Sequence, residues 1–224
     1  TDLYKLYCGG LGLTSLDVSA NTNLHILQCQ QNSLTSLDVS SNTALTDFNC
    51  SNNQLTNLDV SNNTALTSLS CQNNQLTSLD VSNILGLHNL ELDSNQFTSI
   101  DVSNNTELIT LYCASNALTS LDVSGNTSLR YLRLYHNQLT TLDLSSNIEL
   151  HDLTIGNNQL TYLNMRNGVT GQLYNFDATG NSGLTCIETL DPDYATANWS
   201  NIDAGVTFAD ICYASNPSYT YVPD

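Results

Sequence analysis

The sequence predicts a solenoid of 21-residue turns, on three observations. Cys8, Cys29, Cys50 and Cys71 fall 21 residues apart, and Cys113 follows Cys71 by two such periods. The other residues in that phase are Leu92, Leu134 and Ile155. A position that accepts only Cys, Leu or Ile is a buried one, because a free cysteine behaves as a small hydrophobe. Each period also carries the pattern LxxLxLxxN twice, once through Leu24, Leu27, Cys29 and Asn32 and once through Leu34, Leu37, Val39 and Asn42. Units that repeat in this way bury their apolar side only against their neighbours. Function is therefore expected where the repeat is broken.

Composition narrows the partners. The 224 residues include 4 Lys+Arg against 21 Asp+Glu, a net charge of −17. Nucleic acids and anionic membranes are bound through basic patches, so neither is an expected partner. The chain has no apolar run of the ~18 residues that a spanning helix needs, and no membrane insertion is expected. It begins at Thr1, inside a repeat and without a leader, and reads as a mature or excised fragment.

The doubled LxxLxLxxN units resemble the bacterial leucine-rich-repeat class in which two units nest in 21 residues. The resemblance runs from about Leu3 to Asn181, with a ninth unit (Leu173, Phe176, Ala178, Asn181) displaced by an insertion around Arg166 to Gly171. It implies a right-handed coil of short parallel strands with about eight to nine coils, the hand that crossover sterics also favour. The expected organisation is a solenoid over 1–183, a C-terminal cap over 184–212 and a tail or linker over 213–224.

Each regular column has a structural reading. The Leu, Val and Cys columns alternate with outward residues at strand period and point into the core. Cysteines on adjacent coils are expected to stay free, because parallel inward Cβ vectors lie about 4.8 Å apart, beyond the ~3.8 Å usual for a bridge. Asn32, Asn53, Asn74, Asn95, Asn116, Asn137 and Asn158 end successive strands, where an amide can bond to turn backbone or to its stacked neighbours. Asp17, Asp38, Asp59, Asp80, Asp101, Asp122 and Asp143 form a second ladder, expected on an opposite sheet, with a serine two residues after each. Hydrogen bonds from those serines and turn amides are the expected remedy for charge repulsion, and Ca²⁺ is the alternative. No other cofactor is expected.

Cys186 and Cys212 lie beyond the last unit, where a solenoid needs a cap over its apolar cross-section. They are expected to form a disulfide. Asp191-Pro192 reads as an N-cap followed by proline at the first helical position, opening a short helix towards Trp199. This segment resembles the cap of secreted leucine-rich-repeat proteins of Bacteroidetes-type bacteria, which implies an extracellular or cell-surface location.

The repeat is broken on the outward face of the cysteine-side strands. Coils two to four show mostly small or neutral residues there, such as Gln28, Asn49 and Ser70. Coils five to eight carry Glu91, Asp93, Tyr112, Tyr131, Arg133, Tyr135 and Asp152, flanked by His88, Arg130, His136 and His151. Tyrosine and arginine are the types that concentrate binding energy at interfaces. Glu91, Asp93, Tyr112, Tyr131, Arg133, Tyr135, His136 and Asp152 are the candidate ligand-binding residues; a ladder that merely stiffens the sheet is the competing reading. No HExxH, GxSxG, P-loop or CxxC motif is present, so no enzyme is expected. The sequence reads as an extracellular recognition module for a partner protein, with a polysaccharide-binding module or a structural spacer as alternatives.

Overall fold

The computed structural model describes residues 2–213, 215 and 217. Its strands are β1 (Lys5–Tyr7), β2 (Ile26–Gln28), β3 (Asp47–Asn49), β4 (Ser68–Ser70), β5 (Asn89–Glu91), β6 (Thr110–Tyr112), β7 (Tyr131–Arg133), β8 (Thr141–Asp143), β9 (Asp152–Thr154), β10 (Tyr162–Met165), β11 (Asn175–Asp177), β12 (Cys186–Thr189) and β13 (Thr207–Ala209). Among the described residues one helix, α1 (Pro192–Asn198), lies between the last two strands. Nine strands form one parallel sheet in the order β1-β2-β3-β4-β5-β6-β7-β9-β11. Each turn contributes one strand to it, which makes the chain a β-solenoid.

Register follows the sequence period. Lys5 pairs with Ile26 and Tyr131 with Asp152, each 21 residues on. Asp152 pairs with Asn175, 23 residues on, so the insertion near Arg166 is absorbed outside the sheet and Ala178 stays in the core column. Between the sheet and the opposite side, the Leu, Val, Phe and Cys columns pack into one continuous core.

The aspartate side departs from the expectation. A second sheet exists, in the order β13-β12-β10-β8, but it covers only the C-terminal turns. In the earlier turns the segments around Asp17 to Asp122 do not pair as strands. The change coincides with sequence: Ser or Asn stands before the leucine or isoleucine in those turns, whereas Thr141 and Tyr162 stand there in β8 and β10. Thr and Tyr favour a pleated, half-buried surface and Ser and Asn do not.

The strand-end asparagines bond to backbone, not to one another. Asn137 Nδ2 donates to the carbonyls of Leu134 and Cys113, and Leu118 N–H donates to Asn137 Oδ1, all at 2.9 Å. The same pattern recurs at Asn53, Asn74 and Asn158. Each amide thus ties its own turn to the preceding coil and satisfies backbone groups that burial would otherwise orphan. The residue just before each asparagine adopts the left-handed conformation, as at Asn52 (φ 53°), Ser115 (φ 54°) and His136 (φ 56°).

At the C-terminus α1 is capped by Asp191, which accepts from Tyr194 N–H at 3.0 Å, with Pro192 opening the helix. Trp199 is buried and stacks on Phe176 at 4.3 Å, with Phe208 edge-on at 5.7 Å. Cys186 and Cys212 are joined by a disulfide. The sequence does not announce the polar element beside it: Glu188, 1% exposed, accepts from Tyr162 Oη and from Cys212 N–H. Of the tail expected over 213–224, only Tyr213, Ser215 and Pro217 fall within the described residues.

Cys8, Cys29, Cys50, Cys71 and Cys113 are free and buried. Burial pushes the Cys29 and Cys71 thiols up to about 12 and those of Cys50 and Cys113 well above their ordinary value. A thiol held protonated is a poor nucleophile. The native protein is therefore expected to resist alkylation, with Cys8 at the first coil reacting before the rest, and to release five reactive thiols in denaturant. Titration with a thiol reagent checks this, and rapid native reaction of Cys50 or Cys71 would contradict it.

Candidate functional site

On the outward face of the nine-stranded sheet, turns two to four are bland and turns five to eight form a chemically rich half, while the first turn carries Lys5 and the exposed Tyr7. Between the second and third turns Gln28 Nε2 donates to Asp47 Oδ1 at 2.7 Å. In the rich half, strand pairing places Glu91 beside Tyr112 and Tyr112 beside Arg133. The Arg133 guanidinium lies over the Tyr112 ring at 3.9 Å, and its Nη1 is 3.8 Å from Asp93 Oδ2. Asp93 also accepts Ala114 N–H at 2.6 Å. Burial raises the Asp93 carboxyl above its ordinary range, against the pull of that amide and of Arg133.

One turn further, Tyr131 pairs with Asp152. Asn175 Nδ2 donates to Asp152 Oδ1 at 3.1 Å, and burial, with the nearby Asp152 carboxylate, raises the Tyr174 phenol above its ordinary value. Beside Arg133 and Tyr135 the face drops, because β9 and the residue after its neighbour offer only Thr154 and Gly156. Tyr135 stands two residues beyond β7, with the His136 ring edge-on to it at 5.4 Å. His136 occupies the left-handed turn position, so its place in the fold is fixed by the turn as much as by the face.

All eight candidate residues thus lie on turns five to eight, seven along the strand face and His136 at its turn edge. Tyr174 was missed. It is 68% exposed and belongs to the face, but it precedes β11, beyond the insertion that displaces the repeat. Glu107 and Glu149 were missed as well. His88 Nε2 lies 3.6 Å from Glu107 Oε2, and Arg130 Nη2 lies 3.3 Å from Glu149 Oε2. With Ile109 and Ser128 these four line a shallow depression of about 440 Å³ along the edge of the sheet. Glu107 and Glu149 share one column, two periods apart, but its other members are Asn23, Ala44, Ala65, Gly86 and Ser128, so the phase gives no steady signal for them.

On the opposite side each ladder aspartate accepts the N–H of the serine two residues on at 2.9 Å, from Asp17–Ser19 to Asp143–Ser145. Hydrogen bonds from the serines hold the carboxyls of Asp17, Asp38, Asp59, Asp80, Asp101 and Asp122 below the usual range. A depressed carboxyl pKa stabilises the fold above the unfolded-state value of about 4 and loses that contribution as pH falls through the folded value. Among the described residues no group of three or more His, Cys, Asp or Glu is placed to hold a metal ion. Added salt is expected to raise the melting temperature by screening the −17 net charge, with NaCl and CaCl₂ equivalent at matched ionic strength. A large extra shift from millimolar Ca²⁺, reversed by chelator, would contradict this.

No family model and no curated protein matches the sequence. Solved structures do match. The functional domain of InlJ from Listeria monocytogenes, which includes a cysteine ladder, is 33% identical with a TM-score of 0.71, over 84% of this chain and 50% of that one. An internalin C2 from the same organism is 22% identical with a TM-score of 0.64, over 83% of this chain and 80% of that one. The leucine-rich-repeat ectodomain of the Arabidopsis thaliana receptor kinase GASSHO1/SCHENGEN3, in complex with Casparian strip integrity factor 2, is 23% identical with a TM-score of 0.60. It matches over 77% of this chain and 22% of its own. The chain spans half the length of the InlJ domain. Its fold is that of leucine-rich-repeat proteins.

Proposed function

We propose that the chain is a non-catalytic recognition module that binds a partner protein through the cysteine-side sheet, outside the cell. One observation carries this reading: three tyrosines and Arg133 gather on the adjacent sixth and seventh turns, whereas turns two to four of the same face are bland. Were the ladder only a stiffener, every turn would need it equally. Large amphipathic rings with a guanidinium on a rigid face supply contact area and directed hydrogen bonds at small entropic cost. The disulfide suits an oxidising compartment, which supports secretion or display at the surface. Leucine-rich-repeat structures of an internalin type and of a receptor ectodomain with its bound factor make protein recognition the natural use of the fold.

The test is capture of surface proteins by the wild-type chain and by Tyr112→Ala, Tyr131→Ala and Arg133→Ala variants, with a glycan array run in parallel. Each substitution is expected to weaken capture by more than about 2 kcal/mol. Their melting temperatures should move little, because exposed cation–π and ion pairs contribute only about 1 kcal/mol. Normal capture by all three variants, alongside loss in Gln28→Ala, would place the site on the wrong turns. Saturable glycan binding without protein capture would replace the reading with a polysaccharide-binding one.

A further inference from the structure

The charge and geometry around Asp152 point to the kind of partner. Over turns five to nine the strand face carries Glu91, Asp93, Asp152 and Asp177 against the single cation Arg133. Arg133 is engaged by Asp93 and the Tyr112 ring. Asp177 is taken up by Thr179, whose N–H and hydroxyl both donate to it. Asp152 differs: among the described residues it joins no ion pair, and its neighbours are neutral donors and rings. Tyr131 adjoins it on one side; on the other, Asn175 bonds to it and the largely exposed Tyr174 stands next to Asn175 in the chain. A carboxylate between aromatic rings, at the lip of a step down to Thr154 and Gly156, attracts a cation through both its charge and the ring faces.

Building on the reading of this face as a protein-binding surface, we propose that the gap between Tyr131 and Tyr174 over Asp152 receives a lysine or arginine side chain of a basic partner surface. The net charge of −17 would steer such a partner towards the chain, and Asp152 with its rings would fix where it docks. Neutral partners gain nothing from this arrangement, and an acidic one would be repelled.

The probe is a lysine-rich hexapeptide, with its Nε-acetylated form as control, titrated into the folded chain while backbone amide shifts are followed. Two variants remove the same charge from different places: Asp152→Asn at the gap and Asp59→Asn on the aspartate ladder. Asp152→Asn keeps an acceptor for Asn175, so the fold is expected to hold. The shifts should centre on turns seven to nine, and Asp152→Asn and Tyr174→Ala should each weaken binding roughly fivefold or more. Asp59→Asn should change it less than about twofold, and acetylation should abolish localised binding. Equal effects of Asp152→Asn and Asp59→Asn would overturn the proposal, since attraction would then be diffuse. Undiminished binding of the acetylated peptide would overturn it too. These outcomes are separate from the capture experiment: a face that captures a protein but ignores the peptide keeps the protein-binding reading and loses the cationic one.

Discussion

Asn137→Ala is expected to destabilise the protein by roughly 3 kcal/mol or more, although it removes only a small polar side chain. The amide makes three hydrogen bonds, two to carbonyls and one from Leu118 N–H, and Asn137 is 7% exposed. Deleting it leaves buried backbone groups unsatisfied on two adjacent turns, at about 1–3 kcal/mol for each group. The effect should exceed that of Asn147→Ala on the opposite turn. Asn147 Nδ2 donates to the carbonyls of Val123 and Asn126, but its Oδ1 has no protein partner among the described residues. Chemical denaturation of the two variants checks the order. Equal losses would mean that the strand-end amides do not stitch the coils together as their bonds imply.

Removing the disulfide with paired Cys186→Ser and Cys212→Ser substitutions is expected to cost about 3.5 kcal/mol on the chain-entropy model for a loop of 26 residues. The loss should appear first at the cap. Cys212 N–H donates to buried Glu188, so freeing this segment loosens a polar contact as well as a cross-link. If the cap loosens, Trp199 and Phe208 lift away from Phe176 and the apolar end of the solenoid becomes accessible. Thermal unfolding with and without reductant, read by Trp199 fluorescence and by far-UV dichroism, checks this. An unchanged fluorescence transition would contradict it.

Much of the fold was legible because a solenoid writes its geometry as a period. The cysteine column, the asparagine column and the cap disulfide stand where the spacing and the apolar phase place them. The second sheet was less legible, because Asp-x-Ser segments match the nested unit in pattern while their side chains bond locally to the next serine. Strand pairing there depends on single changes such as Thr141 and Tyr162, too slight to alter the pattern. At the candidate site, phase predicted which residues share a face but not how they partner. That Arg133 would lie on Tyr112, and Asp93 turn to Ala114 N–H, depends on rotamers. Tyr174 was hidden by the insertion, and Glu188 by a cap that repeats nothing.

The central claim is that the turns are interchangeable as scaffold and that recognition resides in the outward residues of the later ones. It is tested most directly by exchanging those residues for their counterparts in the third turn: Tyr112→Asn, Tyr131→Asp, Arg133→Asn and Tyr135→Ser in one chain. The captured protein is expected to be lost while the dichroism spectrum and cooperative melting are retained. Retention of that protein at wild-type affinity by the folded variant would contradict the account.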